Sequence, residues 1–297
     1  MRNPNFFILG APKCGTTSLA AWLAEHPNIF ISPIKEPNFF NTDLNKHVIS
    51  DWQQYLKLYN KATDEHIAVG EASTTYLYSR EAARNIENSY PGSRYIVMVR
   101  NPVEMAYALH EQEVFAGHEN ILDFKRAWEM SPERRKGLMA PSSCTEPRWL
   151  DYQKVSALGE QLERLYNYIP KERILVLLLD DIKINPQSEY KKVLEFLGVP
   201  IIEKESYQIY NPSKRARWVG LSRFISVTEK YAYVIKRKFG ISHIPTGILS
   251  YIKNLNRENR PRPVLSQEFK KLLIDYYKED IIKLERLINR DLSFWFK

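Results

Sequence analysis

The feature that most constrains the fold is a short strand, a glycine-containing loop and a helix in direct succession near the N-terminus. Residues 5–9 (Asn-Phe-Phe-Ile-Leu) form an apolar run that ends at a glycine and predicts a buried strand. Residues 16–26 carry apolar side chains at helical spacing and precede a proline, which ends the predicted helix. The loop at 10–18 (Gly-Ala-Pro-Lys-Cys-Gly-Thr-Thr-Ser) therefore joins the end of a strand to the N-terminus of a helix.

The residues of this loop predict an anion-binding site. Backbone N–H groups at a helix N-terminus point at one spot, and the helix dipole adds positive potential there. Lys13 adds a full charge, and three hydroxyl donors follow it: Thr16, Thr17 and Ser18. Gly10 and Gly15 have the spacing of the nucleotide-binding loop GxxxxGK[ST], but the lysine lies inside the loop instead of after the second glycine. This displacement indicates an anion other than the β- and γ-phosphates that a kinase or GTPase binds.

Strands and helices continue to alternate along the chain, which is typical of a parallel sheet covered by helices on both faces. The predicted strands are 67–70, 94–99 and 173–179, and the predicted helices are 79–89, 187–197 and 266–288. Residues 131–147 predict a long loop, and residues 201–220 predict a connection over the surface. We predict one domain over residues 1–297, with helical and loop elements on the acceptor side at about 105–150 and 201–262.

Composition narrows the classes of partner. The net charge is +8, yet no dense block of Lys and Arg occurs, which favours an anionic small molecule over a nucleic acid. Cys14 and Cys144 are the two cysteines, which predicts a reducing compartment without a disulfide framework. No apolar run has the length of a membrane span or of a signal peptide, so we expect a cytoplasmic protein. No cluster of His, Cys and Asp has metal-ligand spacing, so we expect no metal. The sequence does not indicate an oligomeric state.

Three segments carry longer motifs: residues 7–19 (Phe-Ile-Leu-Gly-Ala-Pro-Lys-Cys-Gly-Thr-Thr-Ser-Leu), 35–40 (Lys-Glu-Pro-Asn-Phe-Phe) and 94–104 (Arg-Tyr-Ile-Val-Met-Val-Arg-Asn-Pro-Val-Glu). In these segments, and in shorter ones up to residue 295, the chain resembles the bacterial and carbohydrate-type sulfotransferases that use 3′-phosphoadenosine-5′-phosphosulfate (PAPS). The resemblance implies an α/β fold of the P-loop kinase-like class, with a central parallel sheet flanked by helices. It also implies transfer of a sulfuryl group from PAPS to a hydroxyl or amine of a small-molecule or glycan acceptor, with adenosine 3′,5′-bisphosphate as the product.

The resemblance also implies roles for single residues. The loop would hold the 5′-phosphosulfate through Lys13, Cys14, Gly15, Thr16, Thr17 and Ser18. Lys13 would steady the bridging oxygen while the S–O bond breaks. Arg100, at the end of its strand, would contact the 3′-phosphate. Glu36 of the Lys-Glu-Pro motif would be the base that takes the proton of the acceptor.

Further residues are candidates at the same site. His110, on the helix after the strand-end arginine, is a second candidate base. Ala108 stands where many family members have a serine that binds the 3′-phosphate, so that hydrogen bond is missing here. Arg215 and Arg217, with Lys214, are candidates to reach this phosphate from a later loop.

Two other functions remain open. Ala108 is compatible with a catalytically weak nucleotide-binding homologue. The second is a P-loop nucleotide kinase or NTPase, because residues 177–181 (Leu-Leu-Leu-Asp-Asp) have the pattern of a strand ending in aspartate. Against the kinase stand the displaced lysine and the lack of a convincing magnesium carboxylate near the loop.

Overall fold

The computed structural model describes residues 2–210 and 264–297 and, between these ranges, residues 215–216, 218, 220–222, 224–225, 227–228 and 256–258. The chain divides into two compact units. The first unit contains residues 1–105, 157–211 and 274–297. The second unit contains residues 106–156 and 212–273.

A five-stranded parallel sheet forms the centre of the first unit. Its strands are β1 (Phe6–Gly10), β2 (Ile29–Ile31), β3 (Ala68–Ala72), β4 (Arg94–Val99) and β5 (Ile174–Leu178), in the spatial order β2-β3-β1-β4-β5. Every residue of β1 and β3 is buried, as expected for strands with both faces covered. Because the chain starts in the middle of the sheet and adds strands on both sides, a ligand crevice is expected at the carboxyl ends of the central strands.

Helices make up most of the remaining regular secondary structure among the described residues. Their bounds are α1 Thr16–Ala24, α2 Trp52–Lys57, α3 Ala82–Ser89, α4 Pro102–Ala116, α5 Phe124–Glu129, α6 Ser131–Arg135, α7 Tyr152–Val155, α8 Leu158–Tyr166, α9 Leu179–Ile184, α10 Pro186–Leu197 and α11 Gln267–Ile288. Short 3₁₀ turns cover Pro147–Leu150, Lys171–Arg173 and Ser293–Phe296, and β6 (Arg215–Ala216) pairs antiparallel with β7 (Arg257–Glu258). Within the described residues, no helix is both long enough and apolar enough to cross a membrane.

Close packing between β1 and β3 depends on one glycine. Gly70 lies opposite Phe6 in the parallel register. A Cβ atom at Gly70 would lie 2.3 Å from the carbonyl oxygen of Phe6 and 2.7 Å from its ring. A side chain at this position would therefore push β1 and β3 apart, and the candidate site lies at the carboxyl ends of these two strands.

The predicted fold class is confirmed: a central parallel sheet is flanked by helices. The predicted strand at 94–99 is β4, and the other predicted strands and helices are present with ends displaced by a few residues. The predicted long loop at 131–147 is wrong for its first five residues, which form α6, whereas residues 136–146 contain no helix or strand. The charged side chains that suggested a loop are partly internal: Arg134 is fully buried, and its Nη2 donates to Glu119 Oε1 at 2.8 Å.

The second unit overlaps the segments that the sequence predicts for the acceptor side. It contains residues 106–156 and 212–273, whereas residues 201–211 belong to the first unit. Residues 201–210 have no regular secondary structure and expose Ile201 and Ile202, as a surface connection does. The acceptor-side role of these segments, and the treatment of residues 1–297 as one domain, stay predictions.

Candidate active site

The loop after β1 is shaped by two glycines. Gly10 has a φ of 133°, and a Cβ atom there would lie 2.7 Å from the carbonyl oxygen of Thr74. Gly15 has a φ of 90° and precedes the first residue of α1, so the chain turns sharply into the helix. The amide of Ala11 donates to the carbonyl oxygen of Met98 at 2.8 Å, which fixes the loop against β4.

The N-terminus of α1 has the properties of an anion site. Among the described residues no side-chain hydrogen bond caps it, and its first turn contains no acidic residue. The amide of Ser18 donates to the carbonyl oxygen of Gly15 at 3.0 Å, so the N–H groups of Thr16 and Thr17 are the ones that a negatively charged ligand would meet. Thr16 and Ser18 are buried here and Thr17 is half-buried. The hydroxyl of Ser18 accepts from the amide of Tyr210 at 3.0 Å, so it has a partner within the protein.

Lys13 and Arg100, the two basic residues of the predicted site, are joined by a hydrogen bond. Lys13 adopts a left-handed backbone conformation with a φ of 62°, and its carbonyl oxygen accepts from Arg100 Nη1 at 3.1 Å. Arg100 also donates through Nε and Nη2 to Glu104 Oε2, at 3.1 and 2.7 Å. The side chain of Arg100 is 14% exposed, so it reaches solvent while the protein holds its orientation. The end of β4 and the loop are thus joined by one guanidinium.

Cys14 contributes to this loop as a neutral thiol. Burial raises the pKa of Cys14 to about 12, although the nearby charges of Arg100 and Lys13 act in the opposite direction. Its Sγ donates to the carbonyl oxygen of Pro12 at 3.4 Å. A neutral, buried thiol is unsuited to nucleophilic chemistry, and the role predicted for Cys14 in holding the cofactor stays a prediction.

Glu36 lies at the same edge of the sheet as the loop. Its amide donates to the carbonyl oxygen of Ala72, the last residue of β3, at 3.0 Å. Its side chain is 28% exposed, and one oxygen pairs with Lys35 Nζ at 2.8 Å. Because parallel strands end at one edge, Glu36 beside β3 and the loop after β1 share that edge. We call residues 36–40, which begin with this glutamate, the base segment.

A buried carboxylate lies directly behind the base segment. Glu71, in β3, is fully buried, and three hydroxyl groups donate to it. Tyr55 and Tyr76 each donate to Oε1 at 2.9 Å, and Ser73 donates to Oε2 at 2.6 Å. Burial raises the pKa of Glu71 to about 7, and the three hydrogen bonds act against this rise. Glu71 is absent from the residues predicted above; a glutamate inside the apolar run Ala-Val-Gly-Glu-Ala is the signal that would have found it.

His110 belongs to the second unit and is part of its core. The ring is 3% exposed and packs against Phe124 and Tyr152. Its Nε2 is 2.8 Å from the carbonyl oxygen of Ile121, and its Nδ1 makes no hydrogen bond in the part of the chain that the structure describes. Burial lowers the pKa of His110. This environment favours a neutral core histidine over a base that meets an external acceptor.

The remaining predicted residues are in the second unit. Ala108 is buried, with 1% of its surface exposed. Arg215 lies in β6, where its backbone pairs with that of Glu258. Lys214 and Arg217 lie outside the described residues, so their predicted approach to the 3′-phosphate stays a prediction. Among described side chains, no group of three or more His, Cys, Asp and Glu is placed to hold a metal ion.

Comparison with known proteins gives a family for the chain. The sequence model described as "Sulfotransferase domain" matches residues 3–219. The crystal structure of a sulfotransferase from Alicyclobacillus acidocaldarius superposes with a TM-score of 0.72 at 25% identity, covering 100% of both chains.

Curated relatives agree with this result. The human bifunctional heparan sulfate N-deacetylase/N-sulfotransferase 3 is 26% identical over 67% of this chain and 22% of its own length. The mouse bifunctional heparan sulfate N-deacetylase/N-sulfotransferase 2 is 23% identical over 97% of this chain and 30% of its own length. The membrane-associated sulfotransferase kil1 of Dictyostelium discoideum is 21% identical over 98% of this chain and 66% of its own length. The chain thus spans less than a third of the two bifunctional relatives.

Proposed function

Because the chain belongs to the sulfotransferase family, we propose that it transfers a sulfuryl group from PAPS to a hydroxyl or amine of an acceptor. The family and the transferase class predicted from the sequence are confirmed. One contact carries the proposal for the donor: the guanidinium of Arg100 donates to the carbonyl oxygen of Lys13, in the loop that leads into the N-terminus of α1. PAPS carries anionic groups at two ends, and this arrangement offers positive charge from two elements.

The donors present fit such a ligand. The N–H groups at the start of α1 and the ammonium of Lys13 would bind the 5′-phosphosulfate. A guanidinium carries five N–H donors, and Arg100 uses one at each of its three nitrogen atoms within the described structure. Its other N–H donors would bind the 3′-phosphate. Ala108 supplies no hydroxyl to this phosphate, so Arg100 has a larger share of the recognition.

The proposed chemistry divides between Lys13 and Glu36. A bond forms between the acceptor oxygen or nitrogen and sulfur, while the bond from sulfur to the bridging phosphate oxygen breaks. Glu36 takes the proton that the acceptor loses. The ammonium of Lys13 stabilises the negative charge that develops on the departing phosphate. His110 takes no part in this scheme, because its ring is enclosed in the core of its unit.

We propose a glycan as the first acceptor class to test. Two relatives support this choice: both are bifunctional heparan sulfate N-deacetylase/N-sulfotransferases, and the chain matches less than a third of their length. Phenols and other small amines are the comparison set. The expected cytoplasmic location also stays a prediction.

The kinase alternative loses its best support. Asp180 and Asp181 follow β5, but their oxygens have partners within the protein. Asp180 Oδ2 accepts from Trp295 Nε1 at 3.0 Å, and Asp181 Oδ1 pairs with Arg290 Nη2 at 2.9 Å. These bonds tie both carboxylates to the C-terminal residues of the chain, which argues against their being the Mg²⁺ ligands of a kinase.

The proposed activity is tested by following the formation of adenosine 3′,5′-bisphosphate from PAPS with glycans, amines and phenols as acceptors. Release that depends on the acceptor and is lost in Lys13→Ala supports the proposal. Equal release by the wild type and Lys13→Ala contradicts it. A parallel reaction with ATP and Mg²⁺ tests the kinase, and bisphosphate binding without any turnover supports the weak homologue.

A further inference from the structure

The buried Glu71 carboxylate is linked to the base segment through two hydroxyl groups. Ser73 Oγ donates to Glu71 at 2.6 Å and accepts from the amide of Asn38 at 3.1 Å. The hydroxyl of Tyr76 donates to Glu71 at 2.9 Å and accepts from the amides of Phe39 and Phe40 at 3.0 and 3.3 Å. Three successive backbone amides of the base segment, those of residues 38–40, therefore donate to hydroxyl oxygens, and these hydroxyls donate in turn to Glu71.

The direction of these hydrogen bonds depends on the carboxylate. A hydroxyl has one proton to donate and lone pairs that accept. The hydroxyls of Ser73 and Tyr76 each donate their one proton in a hydrogen bond to Glu71. Their oxygens are therefore left with lone pairs, which accept from the backbone amides. An apolar residue at position 71 would leave these hydroxyls without their acceptor inside the protein, where an unsatisfied polar group is costly.

The base segment needs such support because its backbone conformation is unusual. Glu36 and Asn38 have φ values of 56° and 51°, in the left-handed region that non-glycine residues seldom adopt. Such conformations persist where the surrounding structure over-determines them. Thr75 Oγ1 donates to the side-chain oxygen of Asn38 at 2.7 Å, and His47 Nδ1 is 2.7 Å from its carbonyl oxygen. The segment is thus held on several sides, and Glu71 organises the bonds to three of its amides.

We propose that Glu71 is a positioning residue for Glu36, acting through Ser73 and Tyr76 on the backbone of the base segment. The expected effect on turnover rests on the proposed function, whereas the expected effect on the backbone of the base segment does not. Titratable and hydroxyl groups from several elements lie around Glu71. They are Tyr55 of α2, Tyr59 just after α2, Ser73 and Tyr76 after β3, Tyr90 after α3, and Glu36.

Three variants separate positioning from general stability. Glu71→Gln replaces the carboxylate by a neutral amide of similar size. Tyr76→Phe removes the hydroxyl that accepts from two amides of the base segment. Tyr59→Phe is the matched control: Tyr59 is equally buried in the same cluster, but its hydroxyl bonds to that of Tyr55 and not to the base segment. Circular dichroism and binding of adenosine 3′,5′-bisphosphate show whether each variant is folded.

The first measurement is hydrogen exchange at the amides of residues 38–40, which needs no activity. Exchange in Glu71→Gln and Tyr76→Phe is expected to be about tenfold faster or more, with Tyr59→Phe like the wild type. Unchanged exchange in folded Glu71→Gln and Tyr76→Phe would overturn the proposal. If Glu71→Gln does not fold, Tyr76→Phe against Tyr59→Phe decides alone.

The second measurement is turnover, and it separates this proposal from the proposed function. Glu71→Gln and Tyr76→Phe are expected to lower kcat roughly 10–100-fold while the Kd of the bisphosphate stays within about twofold. In the Glu36→Gln background, Glu71→Gln is expected to lower kcat little further, because the base that Glu71 positions is already absent. Faster exchange with an unchanged kcat would overturn the catalytic role. If the wild type transfers no sulfuryl group, the proposed function fails while the exchange result still decides the positioning.

Discussion

Lys13 is the residue whose place in the chain departs most from the ordinary nucleotide-binding loop. Its carbonyl oxygen accepts a hydrogen bond from Arg100, which ties the backbone of the loop to the end of β4. We expect Lys13→Ala to lower kcat roughly 10²–10³-fold, because it removes charge where charge develops in the transition state. Steady-state kinetics measure this loss, and Lys57→Ala, which changes an exposed lysine at the end of α2, is the control. A folded Lys13→Ala with normal kcat would exclude the assigned role.

Glu36 is expected to affect turnover without affecting binding of the cofactor. Glu36→Gln keeps the size of the side chain and removes its basicity. We predict that kcat falls roughly 10²–10⁴-fold, while the Kd of adenosine 3′,5′-bisphosphate, measured by calorimetry, does not change. Turnover that survives this substitution would mean that another group takes the proton of the acceptor.

Glu71 makes a prediction about stability and pH. Its pKa in the folded protein is raised to about 7 from a usual value of 4.5, so the folded state holds a proton that the unfolded state releases. The contribution of Glu71 to the free energy of unfolding is therefore full below the unfolded pKa and falls as pH rises through the folded one. The stability of the wild type relative to Glu71→Gln should decrease by up to about 1.4 kcal/mol per pH unit in this window. Urea unfolding at several pH values measures it; a difference that stays constant or grows with pH would contradict it.

The site residues that could be proposed from the sequence are those whose suggested role follows from local order along the chain. Lys13 follows from its place between two glycines, and Glu36 from its motif. Glu71 does not, because its partners Tyr55 and Tyr76 are brought to it by α2 and by the chain after β3. His110 was attractive for its place on a helix, but its burial depends on packing against Phe124 and Tyr152, which no local pattern reports.

At the scale of the elements, α8 offers a test of how the first unit is held together. The helix begins without a side-chain cap from its own preceding residue. Instead, Asp280 of α11 accepts from the amides of Gly159 and Glu160 at 2.9 and 2.8 Å. A Cβ atom at Gly159 would lie 2.4 Å from the carbonyl oxygen of Asp280, so the glycine permits this approach. A carboxylate from a distant helix thus caps the start of α8.

Removal of this cap should have a measurable cost. We predict that Asp280→Ala lowers the free energy of unfolding by about 1–2 kcal/mol, because two amides at a helix N-terminus lose their acceptor. Urea unfolding measures the change. Asp275→Ala, on an exposed position of α11, serves as the control and should change stability by less than about 0.5 kcal/mol. Equal effects of both substitutions would argue against the cap.

The elements were predictable to the extent that their apolar pattern is local. The run Arg-Tyr-Ile-Val-Met-Val gives β4 with its observed ends, because an uninterrupted apolar run is typical of a strand buried on both faces. The spatial order of the strands was not predictable from such runs, since it depends on which strands meet across the sheet. The helix α6 was missed because Arg134 reads as a surface charge until its burial against Glu119 is known.

At the scale of the whole molecule, the central claim is that the first unit binds a nucleotide with phosphate at both the 3′ and 5′ positions. The loop after β1, the N-terminus of α1 and Arg100 all belong to this unit. The second unit contains Ala108 and His110, together with segments assigned by prediction to the acceptor side. The donor and acceptor roles would then be divided between different parts of the chain, which agrees with a rigid scaffold that carries variable segments.

Calorimetric titration with adenosine 3′,5′-bisphosphate in the absence of metal tests this claim most directly. We predict saturable binding that is weakened at least about tenfold in Arg100→Ala and when the ligand lacks the 3′-phosphate, as adenosine 5′-phosphate does. Binding should also raise the melting temperature, because a ligand that binds the folded state stabilises it by mass action. Tight binding of ATP with Mg²⁺, together with no binding of the bisphosphate at millimolar concentration, would contradict the account.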